Sequence, residues 1–206
     1  NIDIRNISSV EDLVQIPIID KTAILAQKEL FVSKEIKNIK HYTNNTGGTT
    51  GTPFRYHISH IHRLRAATML YRGWSFGGYN LGDKLFFLGG ASLNAGSKYG
   101  WLTKIHEFTR NTRFLSSFDM SNENLEKYID YINKERPLFI RGYPSAIGYL
   151  ADFIIDNSIA INTEIKAVFT TSELLLPNYR TSIEKAFNTK VFDAYGLNDG
   201  GVTTYE

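Results

Sequence analysis

The sequence predicts an α/β protein with a largely parallel sheet and crossover helices. Two observations carry this. From residue 121 onward, amphipathic stretches alternate with short apolar runs: "SNENLEKYIDYINKE", "PLFIRGY", "PSAIGYLADFII", "IKAVFTT", "PNYRTSIEKAFN" and "KVFDAYG". Helix-period segments between apolar runs at this spacing are what crossover connections between parallel strands require. The composition also supplies a core, because 42% of the 206 residues are hydrophobic and 13% are aromatic. A chain of that kind is not disordered.

Each element has its own signal. Residues 1–30 read as short helices around "IPIID", with Asp20 or Thr22 able to cap a helix through "AILAQKEL". "HYTNNTGGTTGTPFRYHI" reads as two β-prone arms around a Gly-rich loop. Residues 59–77 carry helical spacing at Ile61, Leu64, Ala67/Thr68 and Tyr71. "GDKLFFLGG" is an apolar run after a turn, hence a buried strand. In "SNENLEKYIDYINKE" the residues Leu125, Tyr128, Ile129 and Ile132 share one face, and Ser121 is placed to cap. Pro144 suits the first turn of its helix. In open parallel sheets ligands gather beyond the carboxyl ends of the strands. The loops "NNTGGTTGT", "GYPS", "TTSELLLP" and "YGLNDGG" are therefore the candidate site.

Composition narrows the function. The formal net charge is +2 with scattered positives, which gives no case for nucleic acid as a partner. "KEIKNIK" reads as a solvated face. With no cysteine, disulfides, thiolate catalysis and zinc-thiolate sites are excluded. No apolar run reaches the roughly 18–20 residues of a transmembrane segment, and "NIDIRNISSVEDL" has no signal-peptide pattern, so a cytoplasmic location is expected. His57, His60 and His62 in "HISHIH" lack the i, i+4 spacing and acidic partner of a helical zinc site, and straddle an expected strand-to-helix boundary.

A phosphate cradle needs convergent backbone amides and hydroxyl donors. Thr46, Gly47, Gly48, Thr49, Thr50 and Gly51 supply both. No lysine follows the last glycine, so this is not the G-x-x-x-x-G-K-[ST] loop, and G-x-G-x-x-G is absent. On its own the stretch is either a cradle or a Gly-rich hairpin turn.

"TGGTTGTP" resembles the [ST]-[SG]-G-[ST]-[ST]-G-x-P motif of the adenylate-forming superfamily, which includes acyl-CoA synthetases. "FDAYGLNDGG", about 150 residues later, resembles that superfamily's Y-G-x-[ST]-E motif. "IPIIDKTAI", "YRGWSFGGYNLGDKLFFLGG", "IRGYPSAIGYLADFI" and "TTSELLLPNYRTSIEKAFNTKVFDAYG" are similar to stretches of the phenylacetate-CoA ligase branch and its CapK-type capsular polysaccharide biosynthesis relatives. The resemblance covers nearly the whole chain. It implies the N-terminal part of the adenylate-forming ligase fold, with residues 1–206 as a partial adenylation domain and no C-terminal lid domain. Both termini read as cut. The resemblance places a ribose-binding aspartate, a hinge and a lysine-bearing small domain further downstream, so the fragment alone is expected to be inactive.

The implied activity is ATP-dependent, AMP-forming activation of a small carboxylic acid, with ATP and Mg²⁺ required and coenzyme A or another acceptor taking the acyl group. Thr46 to Gly51 would hold the β- and γ-phosphates, where convergent donors stabilise departing pyrophosphate. Tyr195 would stack on adenine, although a tyrosine ending an apolar strand can also be core. Gly196 would let the backbone approach the nucleotide. Asp199 stands where the family has a magnesium-binding glutamate, and Asn198 where it has serine or threonine. Asp199 can equally belong to an Asp-Gly turn. Ser172 and Glu173 would line the adenine pocket. Alternatively, Glu173 caps the helix beginning near Pro177. Tyr143, Pro144 and Ser145 would border the acyl pocket, or simply start a helix. Thr52 and Phe54 flank Pro53 where a lysine often follows the proline. The Asn198–Asp199 departure keeps open a degenerate nucleotide-binding or scaffold module without ligase activity.

Overall fold

The structure, a computed structural model, describes residues 4–45, 54–90, 105, 108–197 and 202–206. The chain divides into two compact units, Asn1–His60 and Ile61–Glu206.

The first unit is made of short turns and a hairpin. Its α-helix α1 (Lys21–Ala26) is capped by Asp20, whose Oδ1 accepts from the Ala23 amide at 2.7 Å, as anticipated. The helix is shorter than "AILAQKEL", because the chain tightens into a 3-10 turn over Lys28–Phe31. The arms of the Gly-rich segment are β1 (His41–Asn45) and β2 (Arg55–Ser59), paired antiparallel with Asn45 opposite Arg55. None of this unit's described residues is buried.

The second unit holds a six-stranded sheet. Its strands are β3 (Leu85–Gly89), β4 (Thr112–Ser116), β5 (Phe139–Gly142), β6 (Ala167–Thr171), β7 (Lys190–Leu197) and β8 (Val202–Tyr205). The order across the sheet is β4-β3-β5-β6-β7-β8. All pairs are parallel except β7 with β8. The expected α/β class with a largely parallel sheet is therefore borne out.

Alternation along the strands divides the core in two. On one face Phe86, Leu88, Ile140, Val168 and Val191 pack under α3 (Asn122–Glu135), α4 (Pro144–Asp156) and α5 (Pro177–Phe187). On the other, Leu85, Phe87, Phe139 and Phe169 pack with Trp74, from α2 (His60–Phe76), and with Tyr79. The α3 stripe is the predicted one: Leu125, Tyr128, Ile129 and Ile132 are all buried. Ser121 precedes α3 but its side chain forms no cap. Its carbonyl accepts from the Asn124 and Leu125 amides instead. At the other end of α3, Lys84 donates to the Glu135 carbonyl at 2.7 Å and pairs with its carboxylate at 2.8 Å, a cation placed at the negative helix end.

Candidate active site

Register decides what meets at the carboxyl edge of the sheet. Gly142 of β5 pairs with Leu88 of β3 and Thr170 of β6, and Thr171 pairs with Ala194 of β7. Gly89–Gly90, Tyr143, Ser172 and Tyr195 therefore emerge at one edge. The chain runs from β3 outward to β4 and then returns past β3 to β5. The direction of winding thus reverses between β3 and β5, and crevices form at such reversals. The approach there is close: a Cβ on Gly90 would lie 3.1 Å from the Phe118 ring and 3.3 Å from Tyr143.

Two of the loops singled out in the sequence are joined at this edge. Pro144 is buried at the first position of α4, where its missing N–H costs nothing. Ser145, next in the helix, donates its amide to Glu173 Oε2 at 3.2 Å and its hydroxyl to the same oxygen at 2.5 Å. Glu173 thus supplies a carboxylate to the N-terminus of α4. It does not cap the helix that starts at Pro177, where no side-chain cap forms. That alternative fails because the carboxylate reaches across the sheet edge to a residue 28 positions earlier. Among the described residues Glu173 Oε1 makes no hydrogen bond.

Beside Glu173, Ser172 holds φ at +72°, the left-handed region that L-residues avoid. On the neighbouring strand Tyr195 is 62% exposed. Among the described residues it is therefore not part of the core. Gly196 follows it without a side chain. Below the edge, Thr170, the buried polar residue of β6, donates to Asp193 Oδ1 at 2.5 Å and ties β6 to β7. Sequence reading missed this pair. Its signal was period two: Thr170 in "AVFTT" and Asp193 in "VFDAYG" both fall on the face of Val168 and Val191.

Thr46, Gly47, Gly48, Thr49, Thr50 and Gly51 lie outside the described residues, as do Asn198 and Asp199. The histidines sit as expected across the boundary of β2 and α2. His57 Nδ1 is 3.2 Å from Thr43 Oγ1, and its ring meets His41 edge-on at 5.0 Å. Among the described residues no cluster of His, Cys, Asp or Glu is arranged to hold a metal. An open recess lined by Phe76, Lys166, Lys190 and Phe192 lies at the amino end of β6 and β7, away from these loops. Among the described residues no helix is long and apolar enough to cross a membrane.

The fold, a doubly wound, largely parallel sheet in the second unit, is shared with solved acyl-CoA ligases. Among solved structures, 2-hydroxyisobutyryl-CoA ligase in complex with 2-HIB-AMP and CoA matches 95% of this chain and 46% of its own, with a TM-score of 0.64 at 18% identity. ATP-bound MatB from Rhodopseudomonas palustris matches 80% of this chain and 30% of its own, with a TM-score of 0.55 at 17% identity. In sequence, the chain is similar to protein CapK of Staphylococcus aureus, 28% identical over 195 residues, covering 93% of this chain and 42% of CapK. No family model matches. The chain thus spans less than half the length of these relatives.

Proposed function

We propose that residues 1–206 are the nucleotide- and acyl-binding core of an AMP-forming carboxylate ligase. The observation that carries the reading is the junction at the sheet edge. Ser145 and Glu173, from two separate motifs, are hydrogen-bonded there, beside an exposed Tyr195 on the next strand. The fold likeness supports it, since 2-hydroxyisobutyryl-CoA ligase is seen with an acyl-AMP and CoA, and MatB with ATP.

In this reading the substrate carboxylate attacks the α-phosphorus of ATP. A P–O bond forms, the bond to the β-phosphate bridge breaks, and pyrophosphate leaves. Thr46 to Gly51 hold the β- and γ-phosphates with amides and hydroxyls that stabilise the departing charge. Tyr195 stacks on adenine, which suits its exposed ring, and Gly196 admits the nucleotide close to the backbone. Ser172 and the free oxygen of Glu173 meet the base edge. Tyr143, Pro144 and Ser145 border the acid. Asp199, with Asn198 beside it, is assigned to magnesium, which when bound neutralises phosphate charge. The acyl group then passes to coenzyme A or another acceptor. A role in capsular or surface polysaccharide biosynthesis rests on the CapK resemblance alone.

The test is carboxylate-dependent pyrophosphate exchange by the intact natural polypeptide, with AMP and not ADP as product. Gly48→Trp should abolish ATP binding, and unchanged binding would remove the cradle assignment. The 206-residue chain alone should show no exchange. A second reading is favoured by Asn198 and Asp199, which depart from the family pattern. Calorimetric binding of ATP with magnesium, but no exchange with any acid, would identify a nucleotide-binding module without turnover.

A further inference from the structure

Arg141 is an arginine in the middle of the sheet. It pairs in register with Phe87 on β3 and Phe169 on β6, and shares their face, toward α2. Its guanidinium lies 4.9 Å from the centroid of the Trp74 ring and 5.2 Å from that of Phe87. Among the described residues it forms no ion pair and donates no side-chain hydrogen bond. Burial lowers its pKa to about 10, so it remains a cation at neutral pH. Aromatic faces offset only part of what a guanidinium loses when it is drawn partly out of water.

A second group on this face also lacks its complement. The Tyr205 ring packs so closely on α2 that a Cβ on Gly73 would collide with it, and the buried Tyr205 hydroxyl has no hydrogen-bond partner among the described residues. Buried polar groups are ordinarily satisfied. Tyr71 and Tyr205 pack against the cluster that holds Trp74 and Phe87, the two rings under the Arg141 guanidinium, so the three belong to one neighbourhood. Burial raises the Tyr205 pKa, which keeps its phenol neutral and able to donate. The guanidinium can only donate. Donors gathered without an acid call for a negatively charged acceptor.

We propose that Arg141 and the Tyr205 hydroxyl form an anion-binding site on the α2 face of the sheet, taking a carboxylate or phosphoryl group of a small molecule. Arg141 stands two residues before Tyr143, at the reversal between β3 and β5. Resting on the ligase reading, the activated acid then carries a second anionic group in its body.

The test uses the intact polypeptide with succinate, butyrate and inorganic phosphate as probes, with binding measured by calorimetry or ligand-observed NMR. Succinate should bind at least about tenfold more tightly than butyrate. Arg141→Gln should erase that preference, Arg141→Lys should keep part of it, and Tyr205→Phe should reduce it about threefold at unchanged melting temperature. Phosphate competing with succinate would identify phosphoryl as an alternative occupant. Equal binding of succinate and butyrate, or a preference surviving Arg141→Gln, overturns the site. Should Arg141→Gln fail to fold, Tyr205→Phe decides, because it removes only a partnerless hydroxyl; unchanged succinate affinity then sinks the proposal. The two readings fail separately. Arg141-dependent succinate binding without pyrophosphate exchange removes the ligase and keeps the site. Exchange that serves butyrate as well as succinate, and is indifferent to Arg141→Gln, removes the site and keeps the ligase.

Discussion

Glu173 Oε2 accepts both the amide and the hydroxyl of Ser145, so one carboxylate oxygen fixes the start of α4 relative to the end of β6. The pair is solvent-exposed, and Glu173→Ala should cost about 1 kcal/mol, the ordinary worth of a helix N-terminal acceptor. Urea denaturation measures this, and Glu173→Gln should recover part of the loss. Ser172, at φ +72°, works in the opposite direction: Ser172→Gly should raise stability by about 0.5–1 kcal/mol, read as a higher melting temperature. Arg141→Met should also stabilise the fold, by about 1 kcal/mol, since it replaces an unpartnered half-buried charge with an apolar chain of similar length. These residues show where sequence reading stops. The capping alternative set Glu173 against the helix following it because caps are sought locally, yet its partner lies across the sheet edge. Arg141 was legible only as a letter inside "PLFIRGY". What marks it is that no acid among the described residues pairs with it, and that appears only once neighbours are placed.

At the scale of elements, the best-read segments are those whose burial follows one period. The α3 stripe, the apolar β3 and the proline-led helices α4 and α5 were legible for that reason. The strand β4 was not, because "TRFLS" lies at the sheet edge with Leu115 as its buried side chain, and a half-wet strand has no strong pattern. The antiparallel β8 was missed likewise, since "VTTY" carries almost no apolar signal. Contact between α4 and α5 depends on one small residue: a Cβ at Gly148 would come 2.5 Å from Tyr179 Cδ1. Gly148→Ala should destabilise by about 1–3 kcal/mol through overpacking. Tyr179→Ala in the same chain should relieve most of that, and a double-mutant cycle that finds the two additive would disprove the contact.

At the scale of the molecule, β5, β6 and β7 lie side by side in the order in which they occur in the chain, with α4 and α5 packed together over them. The neighbouring β3 and β4 belong to the same sheet, but β3 reaches β5 only across an intervening strand and helix. Loops that close over few residues lose less entropy, and contacts near in sequence form early. Residues 139–197 should therefore be the part of the sheet that organises first when the chain refolds, with β4 added late. Ile147→Val in α4 should mainly slow refolding, with a φ-value above about 0.5, whereas Leu115→Ala in β4 should mainly hasten unfolding, with a φ-value below about 0.3. Stopped-flow measurements on the two variants decide it. The strand order that gathers Tyr143, Ser172 and Tyr195 at one edge would then also make that edge among the earliest parts of the protein to exist.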